Sequence, residues 1–263
     1  MQTQKSLGRF ARRFLNAAGS GDLDTMASLV KAGLPIDAKA PHLSSALFKA
    51  AARGQATAIR WLVDHGAPVD GRDLVNRTAL IVAAENGSVA AVDVLLDLGA
   101  AVDPTFVRHN PIVLAAMHGH TPVCKRLIEG GASIEAGAKA FTSPLIIAAA
   151  KRRLETVRFL LKRGADPNGH TGNGWTALFQ CRDVQVIDAL VRAGADVNYA
   201  MPYGTTPIMM AAARGDVDVV RYFIECRANV NARDQHGCTV LAFGRSSHTA
   251  DITNMLVKAG AKD

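Results

Sequence analysis

The chain has 263 residues, of which 49% are hydrophobic and only 5% aromatic, and its 30 Lys and Arg outnumber 23 Asp and Glu to give a net charge of +7. That apolar content excludes a disordered chain, and no stretch approaches the roughly 20 apolar residues that a membrane-spanning helix needs. The basic balance favours an acidic partner or nucleic acid, although solubility alone asks for net charge too.

In chain order, the first helical pair is read at 10–18 and 23–32, with Arg12 and Arg13 where later units carry a Ser or Thr start. It reads as an N-terminal cap with a polar outer side. The second unit runs Ser45-Ala-Leu-Phe, Ala50-Ala51, Gly54, then Ile59, Leu62 and Val63. The third repeats it as Thr78-Ala-Leu-Ile, Ala83-Ala84, Gly87, then Val92, Leu95 and Leu96. The fourth has Asn110-Pro-Ile-Val, Ala115-Ala116 and Gly119, and the fifth has Ser143-Pro-Leu-Ile, Ala148-Ala149 and then Arg152 where a glycine is due. The sixth is cut short: Thr176-Ala-Leu-Phe reaches Cys181 and Arg182, and Asp183 opens the next helix three residues early. The seventh is the most regular, Thr206-Pro-Ile-Met-Met-Ala-Ala-Ala-Arg-Gly215, and the eighth starts at Thr239 and carries polar Thr253 and Asn254 on its last helix, as a C-terminal cap would.

Each unit has the same local logic. A hydroxyl or amide residue accepts an orphan N–H at the start of the first helix, proline fits the first helical position, and a glycine stops the helix. In the second helix, apolar residues such as Val219, Val220, Phe223 and Ile224 fall on one face. Neither helix could bury that face alone. The glycines that close the units are Gly33, Gly66, Gly99, Gly131, Gly164, Gly194 and Gly260, with Arg227 standing where another is due, so the intervals are 33, 33, 32, 33, 30, 33 and 33 residues. Such a period marks a solenoid, all-α, of about eight helix-turn-helix units in one continuous domain over 1–263, capped at about 7–33 and 237–263. Between units lie polar segments with Asn76, Gly174, Gly204 or Gly237 two residues before the cap, where a tight turn needs positive φ. These read as hairpin fingers.

The Thr-Pro-Ile start at Thr206, the Ala-Ala pairs, the mid-unit glycines and closings such as Gly194-Ala-Asp-Val-Asn198 together resemble the ankyrin-repeat family over essentially the whole chain. Arg152, Arg227, His248 and the short sixth unit depart from its pattern. The resemblance implies a non-catalytic scaffold that binds another protein along a concave groove made of fingers and first helices.

Motifs of other classes are absorbed by the repeats. Gly172-Asn-Gly-Trp-Thr-Ala177 fits a dinucleotide fingerprint with Asp196 downstream, but no apolar strand precedes it. His118 and His120 sit two apart near a turn with His109 nearby, and read as exposed turn histidines rather than as the closed three- or four-ligand geometry that zinc wants. No nucleophile-base arrangement stands out, so neither a catalytic residue, a cofactor nor a metal is expected. The glycosylation patterns at Asn76 and Asn86 have no secretory segment beside them. Cys124, Cys181, Cys226 and Cys238 show no CxxC spacing and read as free thiols of a reducing compartment, and with no secretory run read in residues 1–18 a cytoplasmic protein is expected.

The fingers carry the candidate site. Leu74, Phe106, Phe141, Trp175, Met201 and Tyr203 form an apolar stripe of the kind protein interfaces use. Arg72, Arg77 and Arg108 on fingers, and Lys151 and Arg214 near first-helix ends, lie beside it. The expected partner is therefore a protein with an acidic surface, bound by a monomer, with the aromatics as anchors and the cations steering encounter. The alternative is nucleic-acid or oligonucleotide binding, with the same cations on phosphates and the aromatics stacking on bases.

Overall fold

The computed structural model describes residues 2–34, 45–103, 110–137, 143–247 and 249–263. Among them are sixteen helices and one isolated antiparallel bridge, Arg233 to Thr239. None of these helices is long and apolar enough to cross a membrane. The chain divides into two compact units, residues 1–136 and 137–263.

The first unit holds α1 (Gln2–Ser20), α2 (Leu23–Lys31), α3 (Ala46–Arg53), α4 (Ala56–Asp64), α5 (Ala79–Glu85), α6 (Val89–Asp97), α7 (Pro111–His118) and α8 (Thr121–Glu129). The first helices stack in the order α1, α3, α5, α7, and the second helices α4, α6, α8 stack beside them. Phe14, Met26, Ile59, Leu62, Leu80, Leu95, Ile112 and Leu127 are fully buried in that stack. Each such side chain contributes about 1.5–3 kcal/mol on leaving water. Helix α1 begins at Gln2 and runs through Arg12 and Arg13, so no helix start forms at the place those arginines occupy. Arginine is a good helix former, and the helix runs through Gly8 into Arg12 and Arg13 without a break.

The second unit holds α9 (Pro144–Ala150), α10 (Leu154–Lys162), α11 (Ala177–Gln180), α12 (Val184–Arg192), α13 (Pro207–Arg214), α14 (Val217–Glu225), α15 (Val240–Ser246) and α16 (Ala250–Lys258). Here α11 packs between α9 and α13, and α13 against α15. Phe179, Phe223 and Leu145 are among its fully buried side chains.

The capping logic holds at Ser45, Thr78, Ser143 and Thr239, whose hydroxyls accept the N–H of the third helical residue at 3.2–3.4 Å. It does not hold at Thr206 or Thr176: their hydroxyl oxygens are buried without a hydrogen-bond partner. At Thr206 the backbone N–H instead meets the Met209 sulfur at 3.4 Å. The Ala-Ala pairs are fully buried at Ala50, Ala83, Ala84, Ala115, Ala116, Ala148, Ala149, Ala211 and Ala212, which lets neighbouring first helices approach closely.

That pair explains the short sixth repeat. Counting from its cap, Thr176, the pair position falls on Cys181 and Arg182. Cys181 is fully buried as its alanine counterparts are, but a guanidinium in the second place would lose its water without a partner. The helix ends first: α11 has 4 residues where α9 has 7 and α13 has 8. Cys181 turns to an extended backbone, and Arg182 swings out to solvent. Asp183 caps α12 by accepting the N–H groups of Gln185 and Val186 at 2.9 and 3.3 Å.

The repeats are also tied together by amides and carboxylates in their closing segments. Asp70 accepts the N–H of Ala101 at 3.0 Å, Asn168 that of Asp196 at 2.7 Å, Asn198 that of Asn229 at 2.7 Å, and Asn231 that of Lys262 at 2.8 Å. The spacing of each pair, 28–31 residues, is one repeat, so each of these closing segments fixes the next one within its own unit.

Candidate partner-binding surface

The fingers share one hydrogen-bond pattern. In the finger of residues 73–77, the Asp73 N–H donates to the Arg77 carbonyl and the Asn76 N–H to the Asp73 carbonyl, both at 3.0 Å. The Asp73 carboxylate accepts the N–H groups of Val75 and Arg77 at 3.0 and 2.8 Å. In the finger of residues 234–238, Asp234 does the same for His236 and Cys238, each at 2.9 Å. The finger of residues 171–175 uses the Thr171 hydroxyl, which accepts the Trp175 N–H at 3.2 Å. In that of residues 201–205, the Met201 N–H reaches the Thr205 carbonyl at 2.9 Å. The fourth residue of each has positive φ: 61° at Asn76, 80° at Gly174, and 77° at both Gly204 and Gly237. The sequence expectation for these turns is met.

In the second unit the fingers also lock each other. A Cβ on Gly174 would come within 2.7 Å of Pro202, and one on Gly204 within 3.0 Å of the Asp234 backbone. The Gln235 N–H donates to the Tyr203 carbonyl at 3.0 Å. Tyr203 is nevertheless 65% exposed. Its neighbours are less open. Trp175 is half-buried, with its ring edge-on to Phe179 at 6.0 Å, and Met201 is half-buried as well. Phe179 continues edge-on to Tyr199 at 6.1 Å, which stacks on His170 at 6.2 Å. Trp175 is thus partly a core residue.

In the first unit Leu74 and Val75 are 77% and 55% exposed at the tip of their finger. Arg72 is exposed beside them, whereas Arg77 is engaged, its guanidinium 2.9 Å from Asp73 and 3.3 Å from Glu85. Burial alone would push the Asp73 carboxyl up, but the Arg77 and Val75 N–H groups and the Arg77 charge hold it below the ordinary carboxylate value. Phe106, Arg108 and Phe141 lie outside the described residues.

The first-helix ends of the second unit gather cations. Lys151, Arg152 and Arg153 are consecutive and exposed at the turn after α9. Arg214 is different from what its place suggests. Its side chain is only 15% exposed and is used internally: Nη1 donates to the Phe179 carbonyl at 2.7 Å, Nη2 approaches the Cys181 carbonyl at 3.5 Å, and Nε pairs with Asp216 at 2.7 Å. It caps the carbonyl end that the shortened α11 leaves open. Arg182 lies 3.7 Å from the same Asp216. The sequence reading named Arg152 and Arg182 as irregularities and missed them as surface cations; their offset from the Gly and Ala of neighbouring repeats is the signal that marks them.

The remaining motifs have structural places. His120 precedes α8 with Nε2 3.1 Å from the Glu85 carbonyl and its ring stacked on His118, and no group of three metal-ligating side chains occurs among the described residues. Gly174 is a finger turn and Thr176 the residue before α11, which accounts for the fingerprint-like run. Burial pushes the thiol of Cys124 up to about 12 and that of Cys181 up to about 11, so both are protonated at neutral pH.

Comparison with known proteins agrees with this architecture. A family model described as ankyrin repeats in three copies matches residues 14–106, 101–171 and 175–263. The chain is 30% identical over 154 residues to the ankyrin repeat and KH domain-containing protein mask-1 of Caenorhabditis elegans, covering 57% of the chain and 6% of that protein. It is 36% identical over 137 residues to human ankyrin repeat and SOCS box protein 16, covering 50% of the chain and 30% of that protein. It therefore spans less than a third of either relative. The crystal structure of the human ASB11 ankyrin repeat domain superposes with a TM-score of 0.61 at 22% identity, covering 95% of this chain and 98% of that one. Repeat stacks of this kind are generally protein-interaction scaffolds, and by its sequence match and its helical pairs the chain belongs to the ankyrin-repeat family.

Proposed function

We propose that the chain is a non-catalytic, protein-binding scaffold, adaptor or inhibitor that acts as a monomer in the cytoplasm and holds an acidic partner protein on its finger edge and first-helix ends. The observation that carries this reading is Tyr203. A large amphipathic side chain stands 65% exposed on a finger whose Pro202 packs closely on Gly174 of one neighbouring finger and whose Tyr203 carbonyl accepts the Gln235 N–H of the other. An aromatic presented on a rigid loop loses little conformational freedom on binding, which is what an interface anchor requires. The half-buried Met201 lies on the same finger and the half-buried Trp175 on the neighbouring one. Leu74 gives the first unit a second exposed apolar tip. The four free thiols accord with a reducing compartment.

The test is capture from a lysate of the native cell with the whole chain and with Tyr203→Ala, quantified by mass spectrometry. Loss of an anchor costs more than ~1 kcal/mol, a drop of at least fivefold for the true partner. An identical captured set at unchanged abundance removes the anchor role. Nucleic acid recovered in place of protein favours the alternative.

A further inference from the structure

We propose that the step left by the short helix α11 binds an acidic, extended peptide segment of a partner protein, gripped by Lys151 and Arg152 after α9 and by Arg182 after α11. This rests on the protein-binding reading and names the chemistry of one part of that surface.

Arg152 stands at φ 56°, a left-handed backbone conformation that costs a residue with a side chain about 1–2 kcal/mol. At the equivalent turns the chain uses glycine: Gly21, Gly54, Gly87, Gly119 and Gly215 all have positive φ. The strained arginine is exposed, and neither it nor Lys151 has an ion-pair partner among the described residues. Strain alone does not mark a site, since Arg227 is left-handed and exposed as well; what sets Arg152 apart is its place beside the short helix α11.

The step gives that charge a place to act. Helix α9 packs on α11, which stops at Gln180, so the turn after α9 projects past its shorter neighbour. Arg152 follows α9 by two residues and Cys181 follows α11 directly, so the packing of these two helices brings both chain segments to the same end of the pair. Arg182 follows the end of α11 with its side chain 51% exposed, 3.7 Å from Asp216. The two carboxylates of the region are already committed: Asp183 caps α12, and Asp216 is held by Arg214 at 2.7 Å. Lys151 and Arg152 are therefore left without a carboxylate here, while Arg182 shares Asp216 with Arg214. On the outer helices of the same unit Arg158, Arg192 and Arg221 each pair with an acid one turn away. A few cations around a short step, interrupted by carboxylates, suit a few Asp or Glu side chains rather than a continuous phosphate backbone, which requires a track of cations.

The experiment uses the full chain and fluorescence anisotropy with three probes: a short labelled Glu-rich peptide, its Gln counterpart, and single-stranded oligothymidine. The Glu peptide binds, the Gln peptide does not, and salt weakens the complex. Lys151→Gln with Arg152→Gly weakens the Glu peptide roughly fivefold. Arg152→Gly relieves backbone strain, so a rise in melting temperature together with weaker binding excludes unfolding as the cause. Arg227→Gly is the matched control: it removes one positive charge and one left-handed arginine elsewhere, and leaves peptide affinity unchanged. The proposal is overturned if the Glu peptide fails to bind, if the Lys151 and Arg152 substitutions change nothing, if Arg227→Gly weakens binding as much, or if oligothymidine binds more tightly. None of these outcomes touches the Tyr203→Ala capture comparison, so failure of the step and failure of the scaffold reading are read separately.

Discussion

The guanidinium of Arg214 donates to the carbonyl oxygen of Phe179 at 2.7 Å across 35 residues of sequence. It repairs one repeat with a side chain from the next. The same group pairs with Asp216 and approaches the Cys181 carbonyl, so a single planar fork serves three acceptors around the end of α11.

From this follows the first prediction. Arg214→Ala leaves the Phe179 carbonyl and the mostly buried Asp216 without their donor, and should destabilise the chain by about 2 kcal/mol, since a charged hydrogen bond contributes about 1.5–3 kcal/mol. Arg214→Lys should recover only part of this, because one ammonium cannot span the separated acceptors. Urea midpoints of the three proteins decide it. Equal midpoints for wild type and Arg214→Ala end the capping role.

A second prediction concerns Arg227, at φ 60° where the other repeats close on glycine. A Cβ built on Gly194 or Gly260 meets nothing within 4 Å, so space is not what selects glycine there; the dihedral angle is. Arg227→Gly should stabilise by about 1 kcal/mol, the lower end of the left-handed penalty, less the extra freedom glycine gives the unfolded chain. Differential scanning calorimetry should show the melting temperature rising. A fall would mean that the Arg227 side chain makes a stabilising contact that outweighs its strain.

The third prediction is a pH dependence in the finger of residues 73–77. The Asp73 carboxyl lies below its ordinary value of 3.8 in the folded chain because the hydrogen bonds of Arg77 and Val75 outweigh burial. A lowered folded value means that the contribution is present above the ordinary carboxylate range and is lost as pH falls through the lowered value. The Val75 and Arg77 amide resonances should therefore move with a midpoint below 3.8, and Asp73→Asn should abolish that transition. A midpoint at or above 3.8 would contradict the hydrogen-bond account.

The repeat itself was legible because it is local and periodic. Thr78, Gly215 and the apolar face of Val219, Val220 and Phe223 each express a rule that operates within one turn of helix, and eight copies in series make the rule visible. Finger turns were legible for the same reason, since positive φ at Gly174 or Asn76 is a demand of the backbone alone.

What side chains do across a repeat was not legible. Sequence placed Arg214 on the binding side by its position at a helix end, but whether it faces solvent or its neighbour depends on how long α11 is, and that depends on the desolvation of Arg182 at a buried pair. Trp175 is likewise partly buried where its ring meets Phe179 of α11 edge-on, whereas Tyr203 gives the next finger its backbone carbonyl and keeps its side chain exposed. Sequence alone determined the period, the helical pairs and the places of the turns, because each is set by backbone preferences within a few residues. The tertiary structure decided which charges and aromatics are spent inside and which remain free, because burial is a property of neighbours some thirty residues away.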